Sequence, residues 1–256
     1  MLLRRLGSKA KLLPKILPLF PKHDCYLEPF FGTGSVFFNK QVVKYNYLND
    51  LDDNVYNLFQ QVVNNKQALY DYIENLPHHK SVWNWLKELQ PDNDLIKAVK
   101  FVVLSNFGYM GKPDTLRFAH SNNKEILLNN INKTFNFLCK NNNIKFNNCD
   151  FRRFFKEFSF TDQNDKNKSF AYLDPPYLNT ENNYISGFTE QDSIDLFDTV
   201  MDADIRFAMS EFDQPFIIDQ ALKLKLNIIF LGERGNMKNR RSEILITNYS
   251  LNKTLF

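Results

Sequence analysis

Cys25-Tyr26-Leu27-Glu28-Pro29-Phe30-Phe31-Gly32-Thr33-Gly34-Ser35 is the stretch that decides how this chain folds. Cys25, Tyr26 and Leu27 form a short apolar run that reads as a buried strand, and Pro29 with the two glycines ends it. Val36 to Val43 then has helical spacing, so the whole is strand, glycine turn, helix. A second strand, Tyr45 to Asp50, ends in an acidic cluster that opens a helix near Asp53. Glycine is scarce, 8 in 256 residues, roughly half the usual ~7%. Each one is therefore more apt to stand where a side chain does not fit.

Outward from this stretch, residues 8–20 read as a short helix of uncertain length, interrupted by Pro14 and Pro18. Helical patterns dominate 53–76, 81–90, 93–106 and 124–142. Strands resume at 145–149, 170–173, 206–209, 227–231 and 243–247, with helices at 189–203 and 216–225 between several of them. The 163–169 stretch reads as a polar surface loop. Strands alternating with helices predict a mostly parallel α/β sheet. The predicted division is 1–52 and 146–256 for the sheet domain, with 53–145 as a mainly helical insertion.

Composition narrows the classes. The chain is 43% hydrophobic and 15% aromatic, too rich in core formers for a disordered protein. No apolar run approaches the ~18 residues of a membrane helix. The stretch opening Met1-Leu2-Leu3-Arg4-Arg5 lacks the apolar core of a signal peptide, so no export is implied and a cytoplasmic protein is expected. Cys25, Cys139 and Cys149 suggest neither a disulfide frame nor a zinc site, and the four histidines lack metal spacing, so no metal is expected. A formal charge of +3 neither demands nor excludes a polyanionic partner.

Two motifs carry chemistry. The first glycine turn lets backbone approach a ligand, but Phe37 stands where a dinucleotide fingerprint needs its third glycine, and no triphosphate loop is present. A nucleoside cofactor without phosphates fits better, with Asp50 at a strand tip to bind ribose hydroxyls. A plain strand–helix turn with a helix-start acid is the blander alternative. The second motif, Asp174-Pro175-Pro176-Tyr177, follows the apolar strand Phe170–Leu173. Its prolines fix the backbone and remove two N–H donors, leaving an acceptor-rich turn with a ring beside it. The Asp174 carboxylate and Pro175 carbonyl suit the two hydrogens of an aromatic amine, and Tyr177 suits stacking on its ring. As that nitrogen becomes tetrahedral, Asp174 stabilises its charge and accepts a proton. A proline-rich strand exit with a core tyrosine is the alternative.

With these residues the chain resembles the Dam/DpnM-like DNA adenine-N6 methyltransferases, over most of its length. Arg5-Leu6-Gly7-Ser8-Lys9 resembles the family's W-x-G-x-K segment, with Arg5 in place of its tryptophan. Glu28 to Ser35 is similar to its D/E-P-F-x-G-x-G-S cofactor loop, Asn49-Asp50 to its ribose-gripping acid, Asp150-Phe151 to its D-F pair, and Asp174 to Tyr177 to its D-P-P-Y. The resemblance implies a Rossmann-like, S-adenosylmethionine-dependent methyltransferase sheet with an inserted helical target-recognition domain. It implies cofactor contacts from Arg5, Gly7, Lys9, Glu28, Pro29, Phe30, Phe31, Gly32, Gly34, Ser35, Asp50, Asp150, Phe151 and Asp174, with Asp174, Pro175, Pro176 and Tyr177 as the catalytic turn. The acceptor it implies is a flipped adenine in double-stranded DNA, since an amine inside the stack cannot meet the donor in line. GATC enters only by that resemblance.

For DNA contacts, Asn106 to Gly111 resembles the family's N-R-x-G-[YF]-N-G stretch, followed by Arg117-Phe118. Arg117 is a guanine reader or a surface arginine, and Tyr109 or Phe107 a wedge beside the flipped base or a core ring. Arg234, Lys238, Arg240 and Arg241 surround Gly232 and Gly235 in a loop that suits phosphate tracking or is simply solvated. Tyr184, in the polar stretch 180–186, is a further contact by position. A monomer is expected, with a restriction endonuclease of the same system as one partner the resemblance allows. Cytosine-N4 or RNA methylation, and a non-catalytic DNA-binding protein on this scaffold, are the competing readings.

Overall fold

The computed structural model describes residues 1–5, 7–116, 123–158, 163–178, 187–236 and 239–250. They form two compact units: Met1–Ser8, Gly32–Ser35 and Asp52–Ile144 in one, and Lys9–Phe31, Val36–Leu51 and Lys145–Phe256 in the other. The strands are β1 (Cys25–Glu28), β2 (Tyr45–Asn49), β3 (Ile144–Asn147), β4 (Ser169–Leu173), β5 (Arg206–Phe212), β6 (Asn227–Asn236) and β7 (Asn239–Thr247). The described α-helices are α1 (Leu13–Ile16), α2 (Asp53–Asn64), α3 (Lys66–Asn75), α4 (Lys80–Glu88), α5 (Asp94–Phe107), α6 (Asn123–Lys140), α7 (Phe151–Glu157), α8 (Gln163–Asn167), α9 (Glu190–Asp202) and α10 (Pro215–Lys223).

The seven strands lie in the order β3-β2-β1-β4-β5-β7-β6. β1 runs parallel to β2 and β4, and β4 to β5, whereas β7 is antiparallel to β5 and β6. The carboxyl ends of β1, β2, β4 and β5 therefore share one edge. Strand order reverses between β1 and β4, which is where sheets of this Rossmann-like kind bind ligands. Because β7 enters from that same edge, Glu243, midway along it, faces Phe212 at the end of β5.

Every residue of β4 is buried, as a central parallel strand covered on both faces must be. Its alternation sorts the core: Ala171 and Leu173 join Leu27, Phe207, Met209, Ile244 and Ile246 against Phe151, Phe154, Leu196, Phe197 and Ile217 of the α7, α9 and α10 helices. Phe170 and Tyr172 point the other way, to Phe20 at 4.6 and 5.4 Å. A complete capping box, Thr189 with Asp192, starts α9.

Several boundaries differ from expectation. The helix predicted over 36–43 is one 3₁₀ turn, Phe37–Asn39, and the backbone is extended by Lys40. Burial of Val36 and Phe37, the latter against Tyr26 and Phe31, makes the apolar spacing that imitates a helix. Residues 8–20 break at their prolines into 3₁₀ and α turns. The pattern over 53–76 divides at Asn65 (φ −131°), where the Asn64 and Asn65 amides donate to the side-chain carbonyls of Gln60 and Gln61 one turn earlier. The polar stretch at 163–169 holds α8 and the first residue of β4, and 151–157, not expected to be helical, is α7. Finally, the glycine- and arginine-bearing segment after Leu231 is ladder on both sides, pairing Asn236 with Asn239.

The helical unit also takes in the chain's first residues. The Arg4 amide donates to the Ser105 hydroxyl, which donates back to the Arg4 carbonyl, and the Asn106 amide donates to the Leu2 carbonyl. These bonds tie Met1–Ser8 to α5, so the units divide differently from the boundary at residue 52 read from the sequence. No described helix is long and apolar enough to cross a membrane.

Candidate active site

Asp174 is the first residue after β4, on the edge where strand order reverses. Lys9, in a single 3₁₀ turn, places its ammonium 2.6 Å from Asp174 Oδ1. Lys9 is 2% exposed and Asp174 22%. A lysine this deeply buried needs an ionic partner, and the carboxylate supplies it. The same ammonium stands 4.5 Å from the centre of the Tyr177 ring, close enough for attraction to its π face. Tyr177 in turn donates its hydroxyl to Glu243 Oε2 at 2.9 Å, and the Phe212 ring meets it at 4.6 Å and 77°. Burial holds the Tyr177 phenol well above its ordinary pKa, so it is a donor here. Tyr172 and Ser210 share a hydrogen bond of 2.8 Å beneath the turn. Glu211 is pushed up to about 8 by burial, and its Oε1 has no hydrogen-bond partner among the described residues. Lys9, Asp174 and Tyr177 were expected from the sequence. Glu243 was not, because nothing near it in the chain marks it; only the reversed direction of β7 brings it here.

The turn after β1 is braced by a residue that drew attention only through its neighbour. Asn49 donates its amide to the carbonyls of Pro29 (3.0 Å) and Cys149 (2.9 Å), while its own carbonyl accepts the Phe31 N–H. Gly32 and Gly34 have φ of +53° and +67°, a conformation costly to other residues. A Cβ added at Gly32 meets no atom within 4 Å, so backbone conformation, not crowding, requires glycine there. Thr33 and Ser35 are buried. Asp50 is half-buried where β2 ends, its N–H bonded to the Asn147 carbonyl.

Other expected residues have different surroundings. Glu28 turns inward and accepts the Tyr26 hydroxyl at 2.8 Å, with burial pushing its carboxyl up to about 8. Phe30 packs on Phe151 (5.6 Å), and Phe31 on Phe146 (5.3 Å), so these rings build the wall behind the turn. Asp150 caps α7 through the Arg152 amide, and the Arg152 guanidinium is shared among Asp150, Asp192 and Asp195. Arg153 pairs with Glu157. Both arginines are thus engaged by carboxylates within the fold.

In the helical unit, Arg5 pairs with Asp52, the N-cap of α2, and lies over Phe101 at 5.1 Å. Gly7 has φ +94°. Tyr109 is 58% exposed and Phe107 only 5%, which separates the two wedge candidates: Phe107 is a core ring against His78 (4.8 Å), and Tyr109 is presented to solvent. Its presentation depends on Gly108, where a Cβ would lie 2.0 Å from the Lys112 carbonyl oxygen. His79 caps α4. Arg241 lies over the Phe212 ring at 5.3 Å. Arg240 is in β7 opposite Gly235, and Arg234 is opposite Arg241. Arg117, Phe118, Lys238 and Tyr184 lie outside the described residues.

Comparison with known proteins agrees with this chemistry. Residues 6–241 match the model of the D12 class N6 adenine-specific DNA methyltransferases. The chain is 27% identical to the modification methylase StsI of Streptococcus sanguinis, over 96% of its own length and 42% of that protein's. It is 25% identical to the type II methyltransferase M1.LlaDCHI of Lactococcus lactis subsp. cremoris, over 95% of its own length and 93% of the relative's. It is 28% identical to a DNA adenine methylase of Haemophilus influenzae, over 70% and 64%. With a match that spans nearly the whole chain and includes both the glycine turn and Asp174 to Tyr177, the protein belongs to the D12 class N6 adenine-specific DNA methyltransferase family.

Proposed function

We propose that this protein methylates the N6 amino group of an adenine rotated out of duplex DNA, using S-adenosylmethionine. The observation that carries the reading is the Lys9–Asp174 pair, a charged acceptor held at the strand-order reversal with a tyrosine ring beside it. Asp174 accepts one N6 hydrogen and the Pro175 carbonyl the other, so the nitrogen is turned out of conjugation with its ring. Lys9 holds the carboxylate in place through Oδ1. As N6 gains its fourth substituent, Asp174 stabilises the positive charge and receives the proton the nitrogen sheds. Tyr177 supplies a stacking surface for the base.

The residues present fit the cofactor. The open backbone at Gly32 admits a close ligand, Asp50 offers an acceptor for ribose hydroxyls, and the absence of a phosphate-binding glycine pattern suits a nucleoside without phosphates. When bound, S-adenosylmethionine supplies an electrophilic methyl group on a sulfonium. Arg5, Gly7, Lys9, Glu28, Pro29, Phe30, Phe31, Ser35, Asp150, Phe151 and Asp174 complete the proposed cofactor contacts.

The helical region 53–145 reads the target in this proposal. Tyr109 enters beside the flipped base, Arg117 reads a guanine edge, and Lys238, Arg240 and Arg241 follow phosphates. In this proposal the protein acts as a cytoplasmic monomer, with a restriction endonuclease of the same system as its partner; two relatives are named a modification methylase and a type II methyltransferase.

Nucleoside mass spectrometry on unmethylated plasmid, after incubation with protein and S-adenosylmethionine, tests the proposal. N6-methyladenine that vanishes with Asp174→Ala is the expected result, and sequencing the marks then gives the site. N4-methylcytosine would overturn the base assignment, and no methylated nucleoside the whole reading.

A further inference from the structure

We propose that Glu243 is a positioning residue for methyl transfer, holding the Tyr177 ring in register with Asp174 through the tyrosine hydroxyl. This rests on the adenine-methylation reading of the same site. Pro175 and Pro176 bring no N–H donors to the turn that carries Tyr177, and the Gln214 amide that donates to the Leu178 carbonyl at 2.8 Å holds the backbone beyond it, not the ring. The Tyr177 ring is instead fixed from the side: the hydroxyl on Glu243 at 2.9 Å, Phe212 at 4.6 Å, and the Lys9 ammonium over the face at 4.5 Å.

Glu243 is suited to anchor it. It lies inside the sheet with ladder partners on both sides, Phe212 of β5 and Gly232 of β6, and its side chain is fully buried. Cross-strand partners share a face, so Phe212 and Glu243 form one floor under the Tyr177 ring. A buried carboxylate is costly to stability compared with an apolar side chain of similar size, and this one accepts the tyrosine hydroxyl. A loose tyrosine leaves the base free to tilt about the amine that Asp174 must face, and small misplacements of reacting groups slow catalysis steeply.

The test compares Glu243→Gln, Glu243→Leu, Tyr177→Phe and the Tyr177→Phe/Glu243→Leu double variant in steady-state methylation of duplex DNA. Glu243→Leu and Tyr177→Phe should each lower kcat about 10-fold, with KM for S-adenosylmethionine changed less than about twofold. Glu243→Gln, which keeps an acceptor, should recover most of the loss. Adding Glu243→Leu to Tyr177→Phe should cost less than about twofold more, because both act through one bond. Wild-type kcat in Glu243→Leu, or a full additional loss in the double variant, overturns the inference. If Glu243→Leu does not fold, Tyr177→Phe decides alone, and wild-type kcat there overturns it. Wild-type protein that transfers no methyl group overturns the methylation reading and this inference with it; active wild-type protein with an unaffected Glu243→Leu overturns only the inference.

Discussion

The sheet contains the same three side chains twice. On β1, the Tyr26 hydroxyl bonds the buried Glu28 at 2.8 Å and Lys40 stands 4.1 Å over the tyrosine ring. At the other place Tyr177 bonds the buried Glu243 at 2.9 Å and Lys9 stands 4.5 Å over the ring. The difference is the fourth member. Lys9 meets Asp174, a partly exposed carboxylate at a strand end, whereas Lys40 bonds the Gln41 carbonyl. Burial lowers the Lys40 ammonium to about 8 against the pull of Glu28. The two places thus share a tyrosine, a glutamate and a lysine in contact, and the proposed reaction is assigned to the one that adds a carboxylate at the reversal edge.

Four experiments break or sharpen this contrast. Removing the distinguishing member should have the largest effect: Asp174→Ala should lower kcat for methylation of duplex DNA by ~10²–10⁴-fold. Next come the two lysines. Lys9→Met should cost ~10²-fold in kcat, because it releases the carboxylate, whereas Lys40→Met should stay within about threefold; equal losses would show that the copies do not differ in role. Tyr109→Ala, outside both copies, should weaken duplex binding about 10-fold in fluorescence anisotropy and leave cofactor affinity unchanged.

The smallest effect is one of pH and belongs to the quiet copy. Burial raises Glu28 to about 8, above its unfolded value, so the folded state holds this proton more tightly. Its contribution to stability is largest in acid and is lost as pH climbs from the ordinary carboxyl range to about 8. Glu28→Gln should therefore raise the melting temperature by a few degrees at pH 8 and hardly at pH 5. Glu211, also raised to about 8, adds to the same slope in the wild type.

Much of the site was legible because its chemistry lies in contiguous residues. Strand, glycine turn and the Asp174 to Tyr177 motif each announce themselves locally, and scarcity made the glycines informative. What local reading missed was made by distance. Asn49 braces the first turn through carbonyls at Pro29 and Cys149, and Glu243 reaches Tyr177 only because β7 runs against β5. Tyr109 and Phe107, two residues apart, were indistinguishable until burial separated them. The 36–43 segment misled for a related reason, since apolar side chains buried beside a strand share the spacing of a helix face.

The reversed entry of β7 has a further consequence, for descent. Glu243 sits just past the hairpin that carries Arg234, Arg240 and Arg241, and its register with Phe212 is pinned where Asp213 and Ser242 bond each other. A lineage can lengthen, shorten or recharge the hairpin tip without moving the residue behind the tyrosine. If the tip meets DNA as proposed, its charge can then change while the Glu243 rung, two positions past Arg241, keeps its place.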